Sequence, residues 1–258
     1  MSETGKETDQ FIRTQMLVGA DKMEVLQKSR VAIFGVGGVG GYVCEALCRA
    51  GVGQIDIVDK DVVDVTNINR QIIATYETIG RPKVQVCKER MLSINPDVKT
   101  EARQCFYLPE KASEFDFASY DYVVDAVDNV TAKIDIICNA RTSGVPVISS
   151  MGTGNKLDPT MFKIADIEET RVCPLAKVVR KELRKRGVSG VKVLYSEEEP
   201  RKPVFEGEKG DADSAAGNAG FDSRLGAEAK RIPASISFVP SCAGLIIAGR
   251  VVLDILKM

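Results

Sequence analysis

The sequence predicts an α/β fold, a doubly wound and mostly parallel β-sheet with a C-terminal elaboration. Apolar runs suited to buried strands alternate with segments of helical periodicity, as in parallel sheets covered by helices. The first run, residues 31–34, leads directly into a glycine-rich segment at 35–40 and then a helical pattern. A strand, a tight glycine turn and a helix N-terminus bind phosphate, because backbone amides there can approach an anion closely. The fold is therefore predicted to be Rossmann-like, with a nucleotide site at this turn.

The elements of the core follow in order. Residues 8–29 carry apolar positions suited to an N-terminal helical segment. Strands are expected at 31–35, 54–59, 99–106, 121–126 and 145–149. Helices are expected between them at 38–50, 82–94 and 131–142. We expect one domain over residues 1–258, in which residues 31–170 form the nucleotide-binding core.

Residues 171–258 form the predicted C-terminal elaboration. A strand at 161–167 is expected to begin a different region, because Gly-Thr-Gly at 152–154 interrupts the alternation. The later elements are a basic helix over 174–187, a strand at 191–195, a polar loop over about 196–230 and a helix over about 241–256. Such a long polar loop is typically flexible or a functional lid.

The composition excludes several classes of protein. Hydrophobic residues make up 44% and charged residues 28%, with a net charge of −1, as in soluble globular proteins. No apolar stretch approaches the roughly 20 residues needed to span a bilayer, and the polar N-terminus lacks a signal-peptide core. We therefore expect a cytoplasmic protein with no membrane span. The chain has no histidine, which excludes a histidine-dependent catalytic triad.

The seven cysteines include no C-x-x-C pair, which argues against a disulfide framework and a structural zinc site. Cys44 and Cys48 lie one helical turn apart and are expected to pack in the core. Cys173 and Cys242 lie at the starts of predicted helices, where backbone amides can lower a thiol pKa. Thioester formation at either residue is one interpretation, and packing is the expected one.

Polar residues suited to a nucleotide triphosphate follow the second strand. Asp59 lies about twenty residues after the glycine turn, the spacing at which a carboxylate meets ribose hydroxyls. Amide, guanidinium and ammonium groups then follow at Asn67, Arg70, Gln71 and Lys83. Such groups make charge-assisted contacts with phosphate, and arginine can bind two oxygens at once.

Two acids follow the fourth strand, at the edge where open α/β sheets place their ligands. A lone carboxylate that faces phosphates suits Mg²⁺, and Asp128 is the candidate. Asp125 has two interpretations: it contacts the ligand, or it caps the turn between strand and helix.

Taken in order, these motifs resemble the ThiF and ubiquitin-activating-enzyme superfamily of ATP-dependent carboxylate-adenylating enzymes. They are G-x-G-G-x-G at 35–40, D-x-D-x-V-x-x-x-N-x-N-R-Q at 59–71, G-x-x-K at 80–83 and D-A-x-D-N at 125–129. The resemblance covers roughly residues 10–170. It implies a ThiF-like adenylating fold, ATP and Mg²⁺ as cofactors, and a homodimer.

The resemblance also implies a role for each matching residue. The nucleotide would be cradled by Gly35, Gly37 and Gly40, and its ribose bound by Asp59. The phosphates would be bound by Asn67, Arg70, Gln71 and Lys83. Mg²⁺ would be held by Asp128. Arg13 matches an arginine that crosses the dimer interface to the partner's ATP; the alternative is an ordinary exposed arginine.

Within the superfamily, the segments 66–71, 173–187 and 238–241 are similar to the tRNA threonylcarbamoyladenosine dehydratase branch. This similarity implies ATP-dependent dehydration, by cyclisation, of threonylcarbamoyladenosine in tRNA through carboxylate adenylation. Sulfur-transfer or other tRNA-modification proteins are implied as partners. A cationic helix face would then contact tRNA phosphates through Lys177, Arg180, Lys181, Arg184 and Lys185. The other interpretation of that face is an ordinary solvated surface.

Two other functions stay open at the level of sequence. The first is an adenylyltransferase that activates the C-terminus of a ubiquitin-like sulfur-carrier protein. Such activators usually carry paired zinc-binding cysteines, which this chain lacks. The second is an NAD-dependent oxidoreductase, because the glycine turn and Asp59 satisfy that fingerprint too. Arg70, Lys83 and Asp128 have no clear purpose in an oxidoreductase.

Overall fold

A single sheet of seven strands organises the structure, a computed structural model that describes residues 9–204 and 233–258. Its strands are β1 (Arg30–Phe34), β2 (Gln54–Val58), β3 (Ala102–Arg103), β4 (Tyr122–Asp125), β5 (Val147–Ser150), β6 (Phe162–Asp166) and β7 (Lys192–Ser196). The described helices are α1 (Ile12–Val18), α2 (Ala20–Lys28), α3 (Gly40–Ala50), α4 (Lys83–Ile94), α5 (Val130–Thr142), α6 (Pro174–Lys185) and α7 (Phe238–Ile255).

The strand order β3-β2-β1-β4-β5-β7-β6 confirms the predicted doubly wound fold. Strand β1 pairs in parallel with both β2 and β4, and only β6 runs antiparallel to its neighbour. The chain therefore runs from β1 through β2 and β3 to one edge of the sheet, and then continues with β4 on the other side of β1. In such sheets this reversal opens a crevice at the carboxyl ends of the strands, which is where ligands bind.

Strand β1 is buried on both faces of the sheet, which explains its continuous apolar run. Val31 and Ile33 pack in the core beneath α3, α4 and α7. Ala32 and Phe34 pack in the second core, beneath α5 and α6. The rings of Phe34 and Phe117 stack there with centroids 5.7 Å apart. Helices on both faces of the sheet thus fix the position of the glycine turn that follows β1.

Several predicted boundaries differ from the structure. The strand predicted at 99–106 is only Ala102–Arg103, with one further bridge between Gln54 and Lys99. The strand predicted at 161–167 does not begin a different region, because β6 pairs with β7 along the edge of the same sheet. Residues 197–204 of the predicted loop lack regular structure, and the rest of that loop lies outside the described residues.

Helix α7 begins at Phe238, three residues earlier than expected, with Pro240 tolerated in its first turn. At 18 residues with mean hydropathy 1.7, it is long and apolar enough to cross a membrane, contrary to our expectation for the sequence. It packs closely on α3, because a Cβ on Gly244 would come within 2.7 Å of the Cβ of Tyr42. In this structure one face of α7 packs in the core, while Leu245 and Leu253 are exposed.

Candidate nucleotide-binding and active site

A cavity of about 690 Å³ opens at the carboxyl ends of β1, β4 and β5. We call one side the glycine-turn end; it is lined by Gly35, Gly37, Gly38, Val39, Asp59, Lys60, Asp61, Asn67, Arg70, Gln71 and Lys83. We call the other side the Lys156 end; it is lined by residues 150–156 and 173–175 together with Pro200, Pro233 and Ser235. The volume is that of an ordinary small-molecule site.

The glycine turn needs glycine at two positions. Gly35 has a φ of +91°, and a Cβ on it would lie 2.6 Å from the carbonyl oxygen of Ala126. A Cβ on Gly40 would overlap the carbonyl oxygen of Gly35, so Gly40 shapes the turn without lining the cavity. The Asp59 carboxylate accepts a hydrogen bond from the Val36 amide at 2.7 Å and therefore fixes this turn as well.

Arg70 is held in place by neutral groups. Its Nη1 donates to the carbonyl oxygen of Thr66 at 2.8 Å and to Oδ1 of Asn69 at 2.9 Å. No carboxylate of the described residues forms an ion pair with it, and burial lowers the pKa of its guanidinium. Asn67 supports this loop, since its Oδ1 accepts from the amide of Asp64. The charge of Arg70 is thus left to interact with an anion in the cavity.

Gln71 and Lys83 lie buried beside Arg70. The Oε1 atom of Gln71 has no hydrogen-bond partner in the described structure, and such an orphaned buried atom indicates a missing ligand or water. Lys83 begins α4, and its Nζ lies 3.1 Å from Oδ2 of Asp61. Burial acts to raise the pKa of Asp61, but the hydrogen bond from Lys60 and the charge of Lys83 lower it. Two ammonium groups therefore share this carboxylate at the cavity wall.

The two acids at the carboxyl end of β4 have different surroundings. Asp128 is exposed and lines the cavity. Asp125 is fully buried and lies outside the cavity lining, so its predicted contact with the nucleotide is not supported. Its Oδ2 binds the Lys133 ammonium at 2.7 Å, and its Oδ1 accepts from the amide of Val127. The structure favours the capping interpretation, because Asp125 points into the core toward α5.

Two buried lysines near the cavity are not among the predicted site residues. Lys133 is fully buried on α5, and its Nζ also donates to the carbonyl oxygen of Ser150 at 2.9 Å. A lysine on the apolar face of a predicted helix was the available signal. Lys156 is 4% exposed and lines the cavity. Its contact is with the main chain of Glu198, far along the sequence, so no local pattern reveals it.

The predicted cationic face of α6 is only partly present. Arg180 is half-buried and donates to Thr170, with its Nη1 2.8 Å from the carbonyl oxygen, so it is not part of an exposed stripe. Arg184 forms an ion pair with Glu168, and Lys185 forms one with Glu182. The remaining cations are exposed and make no ion pair with the described residues: Lys177 and Lys181. The predicted helical periodicity was correct, but Arg180 and Arg184 bind residues of the segment 167–170.

The other predicted residues include Arg13, which is exposed on α1 and lies outside the cavity of its own chain. Cys44 and Cys48 are buried in the core, and burial raises the pKa of Cys48 to about 11. Cys173 is buried at the Lys156 end, and Cys242 is partly exposed. The described residues contain no cluster of three or more metal-ligating acids or cysteines.

Comparison with known protein families matches residues 11–258 to the ThiF family. The chain belongs to this family. The resemblance inferred from the motifs is therefore confirmed, and the NAD-dependent oxidoreductase has no support. The ThiF assignment extends through α6 and α7, which the nucleotide motifs alone did not reach.

Individual relatives distinguish the branches of the ThiF family. The tRNA threonylcarbamoyladenosine dehydratase of Bacillus subtilis (strain 168) is 45% identical over 252 residues, covering 96% of this chain and 95% of its own. The structure of E. coli tRNA N6-threonylcarbamoyladenosine dehydratase, TcdA, in complex with ATP matches with a TM-score of 0.81 and 27% identity, covering 96% of this chain and 94% of TcdA. The sulfur carrier protein adenylyltransferase of Thermus thermophilus is 36% identical over 150 residues, only 57% of this chain and 55% of its own.

Proposed function

We propose that this protein is an ATP-dependent, AMP-forming tRNA threonylcarbamoyladenosine dehydratase. The observation that carries the proposal is the glycine-turn end of the cavity. There a phosphate-binding turn faces Arg70, whose charge no described carboxylate neutralises, and the buried Lys83. This donor set suits a triphosphate that loses pyrophosphate. The similarity to the dehydratases over nearly the whole chain supplies the substrate class.

The residues of the glycine-turn end divide the work of binding ATP. The amides of the turn bind phosphate and the Asp59 carboxylate binds ribose hydroxyls. Asn67 and Gln71 donate hydrogen bonds to the phosphates. Arg70 and Lys83 stabilise the negative charge that develops as pyrophosphate leaves. Asp128 fits Mg²⁺, because a lone exposed carboxylate suits an ion that keeps several of its waters; the ion would neutralise phosphate charge.

The chemistry then follows from the free carboxylate of the substrate. One of its oxygens attacks the α-phosphorus, the bond to pyrophosphate breaks, and an acyl-adenylate forms. An atom of the same side group attacks the acyl carbon and expels AMP, which carries away one carboxylate oxygen. The net change in the nucleoside is loss of one water. Intramolecular attack has a high effective concentration, so the absence of histidine is tolerable.

The proposal is tested by incubating the protein with ATP, Mg²⁺ and tRNA that bears threonylcarbamoyladenosine labelled with ¹⁸O in its carboxylate. We expect a nucleoside lighter by one labelled water, AMP rather than ADP, and ¹⁸O in the AMP phosphate. Omitting Mg²⁺ or adding a chelator should slow the reaction. Release of ADP, or AMP without the label, would contradict adenylation. A ubiquitin-like sulfur-carrier protein in place of tRNA tests the alternative substrate.

The exposed part of α6 supports tRNA as the substrate. Lys177 and Lys181 provide local positive charge on a protein whose net charge is −1. Such a surface is what a nearly neutral protein needs to bind phosphates. We place the enzyme in the cytoplasm, where tRNA is modified, with α7 as a core helix rather than a membrane span.

The surface of α1 supports a homodimer in which Arg13 reaches the partner's ATP. Met16 and Leu17, on the same helix, are 80% and 84% exposed, and large exposed apolar side chains often mark an interface. We expect Arg13→Ala and Arg70→Ala to be inactive separately. Mixed and re-associated, they should recover about a quarter of the wild-type activity, since one site of each heterodimer is intact. An absence of recovery, with heterodimers verified by mass, would contradict a contribution of Arg13 to the partner's site.

A further inference from the structure

The Lys156 end of the cavity contains a buried cation that has no role in the proposed contacts with ATP. Lys156 is 4% exposed, and its Nζ donates to the carbonyl oxygen of Glu198. It forms no ion pair with any described residue. Burial lowers the pKa of its ammonium, although Cys173 and Glu198 act in the opposite direction. One of its three N–H donors is therefore occupied, and the others are available to the cavity.

The main chain around Lys156 is fixed by contacts distant in sequence. Asn155 has a φ of +60°, in the left-handed region. Its amide donates to the carbonyl oxygen of Ala234 at 2.7 Å, and its Oδ1 accepts from the Ala234 amide at 2.8 Å. The amide of Arg201 donates to the carbonyl oxygen of Asn155 at 2.7 Å. Three hydrogen bonds thus hold a strained residue beside Lys156, and retained strain of this kind is typical of functional sites.

The carboxylate of Glu198 binds other donors and forms no ion pair with Lys156. The Glu198 carboxylate accepts hydrogen bonds from the amides of Leu157 and Asp158, both at 2.9 Å. Its Oε1 also lies 3.5 Å from Nε of Arg201. Among the described residues no carboxylate forms an ion pair with Lys156, and a buried ammonium without such a partner is costly. This cost favours an anion that binds there.

A second cavity of about 280 Å³ adjoins the first at Asn155, Lys156 and Ser235. It is lined on its other side by Arg201, Lys202 and Ile236. Lys156 therefore lies where the ATP cavity meets a smaller cavity that has basic and apolar walls.

We propose that Lys156 binds the carboxylate that is adenylated, with the nucleoside that bears it seated in the smaller cavity; this rests on the proposed function. Nζ holds one carboxylate oxygen while the other attacks the α-phosphorus and pyrophosphate leaves. The held oxygen becomes the acyl carbonyl oxygen. Its negative charge is stabilised by the ammonium as the ring closes, AMP leaves with the other oxygen, and the attacking atom loses its proton to solvent.

The test compares two variants of Lys156 with a matched control. Lys156→Gln keeps a donor for the Glu198 carbonyl but removes the charge, and Lys156→Arg keeps the charge. Lys163→Gln makes the same change at an exposed lysine of β6. Each variant is measured for its ATP dissociation constant, its melting temperature and its rate of pyrophosphate release with the modified tRNA.

We expect Lys156→Gln to lower pyrophosphate release about 100-fold. Its ATP dissociation constant and melting temperature should stay near those of the wild type, and Lys156→Arg should retain more activity. Lys163→Gln should behave as the wild type. Three outcomes would each overturn the proposal. They are release of pyrophosphate by Lys156→Gln at the wild-type rate, an equal loss of activity in both Lys156 variants while both are folded, and a loss of ATP binding by Lys156→Gln. If Lys156→Gln does not fold, Lys156→Arg decides by the same measurements. A wild-type protein that releases no AMP would instead refute the proposed function.

Discussion

The two ends of the cavity are assembled in different ways. The glycine-turn end is built from short contiguous segments, in which Asp59 binds the amide of Val36 and Arg70 binds the carbonyl of Thr66. The Lys156 end is built from segments far apart in sequence, joined by Asn155 to Ala234 and by Lys156 to Glu198. The difference explains why sequence motifs predict the glycine-turn end but not the Lys156 end.

One buried ion pair connects the two ends. Asp125 ends β4, which leads into the turn that carries Asp128, and Ser150 ends β5, which leads into the Lys156 end. The ammonium of Lys133 binds both the Asp125 carboxylate and the Ser150 carbonyl oxygen. The relative position of the two ends therefore depends on Lys133, which belongs to neither.

Replacing Lys133 should have the largest effect, because it affects both ends. Lys133→Met leaves the Asp125 carboxylate buried and unpaired, and we expect it to lower the free energy of unfolding by about 3–5 kcal/mol. Urea denaturation measures this difference. Lys163→Met, which removes an exposed ammonium that pairs with the partly buried Glu197, should cost much less. The double variant Asp125→Asn, Lys133→Met should be less unstable than Lys133→Met. Equal losses in Lys133→Met and Lys163→Met would contradict the connecting role.

Arg70→Ala tests the glycine-turn end alone. We expect the rate of AMP formation to fall by about 10²–10³-fold, the usual cost of losing one group that stabilises transition-state charge. The melting temperature should change little, because within the described part of the chain the guanidinium binds a carbonyl and an amide oxygen of its own loop. Arg81→Ala is the matched control, since Arg81 pairs with the exposed Glu89 outside the cavity. Turnover near the wild-type rate in Arg70→Ala would count against the assigned role.

Glu198→Gln tests the Lys156 end through its dependence on pH. Burial acts to raise the pKa of Glu198, but hydrogen bonds from Asp158 and Leu157 and the contact with Arg201 lower it. The pKa of Glu198 in the folded protein is therefore below its unfolded value of about 4.3. The ionised carboxylate stabilises the fold at pH values above about 4.3, and this stabilisation is lost as the pH falls through the folded pKa.

Wild type should therefore exceed Glu198→Gln in free energy of unfolding by about 1 kcal/mol at neutral pH. The gap should close as the solution is acidified below the unfolded pKa, and urea denaturation in a series of buffers measures it. Glu199→Gln, at the exposed neighbouring position, is the matched control and should have the free energy of unfolding of the wild type at neutral pH. A gap that widens in acid would mean that the sign of the pKa shift is wrong.

The smallest expected effect lies outside the cavity, on α6. Replacing Lys177 and Lys181 with alanine should weaken tRNA binding only a few-fold, while lowering the slope of log affinity against log salt by about two. Arg184→Ala should change the slope less, because Arg184 already pairs with Glu168. Titration of tRNA at several salt concentrations measures both. An unchanged slope for the lysine pair would make α6 an ordinary solvated surface.

Most of the fold could be predicted because it follows from local apolar periodicity. The run at 31–34, the glycine turn and the helix after it each have a local signature, and the structure contains all three. The predictions of the fold were wrong where the pairing of strands decides the structure. Residues 161–167 have the pattern of a strand, but only the ladder with β7 makes β6 an edge of the main sheet.

The site divides in the same way. The sequence by itself determined the family, the nucleotide-binding turn and the polar groups that line it, because each depends on residues close together in the chain. Only the tertiary structure decided that Asp125 pairs with Lys133, that Arg180 binds Thr170, and that Lys156 enters the cavity. Burial and charge pairing depend on which distant segments pack together, and that information is not present in any single stretch of sequence.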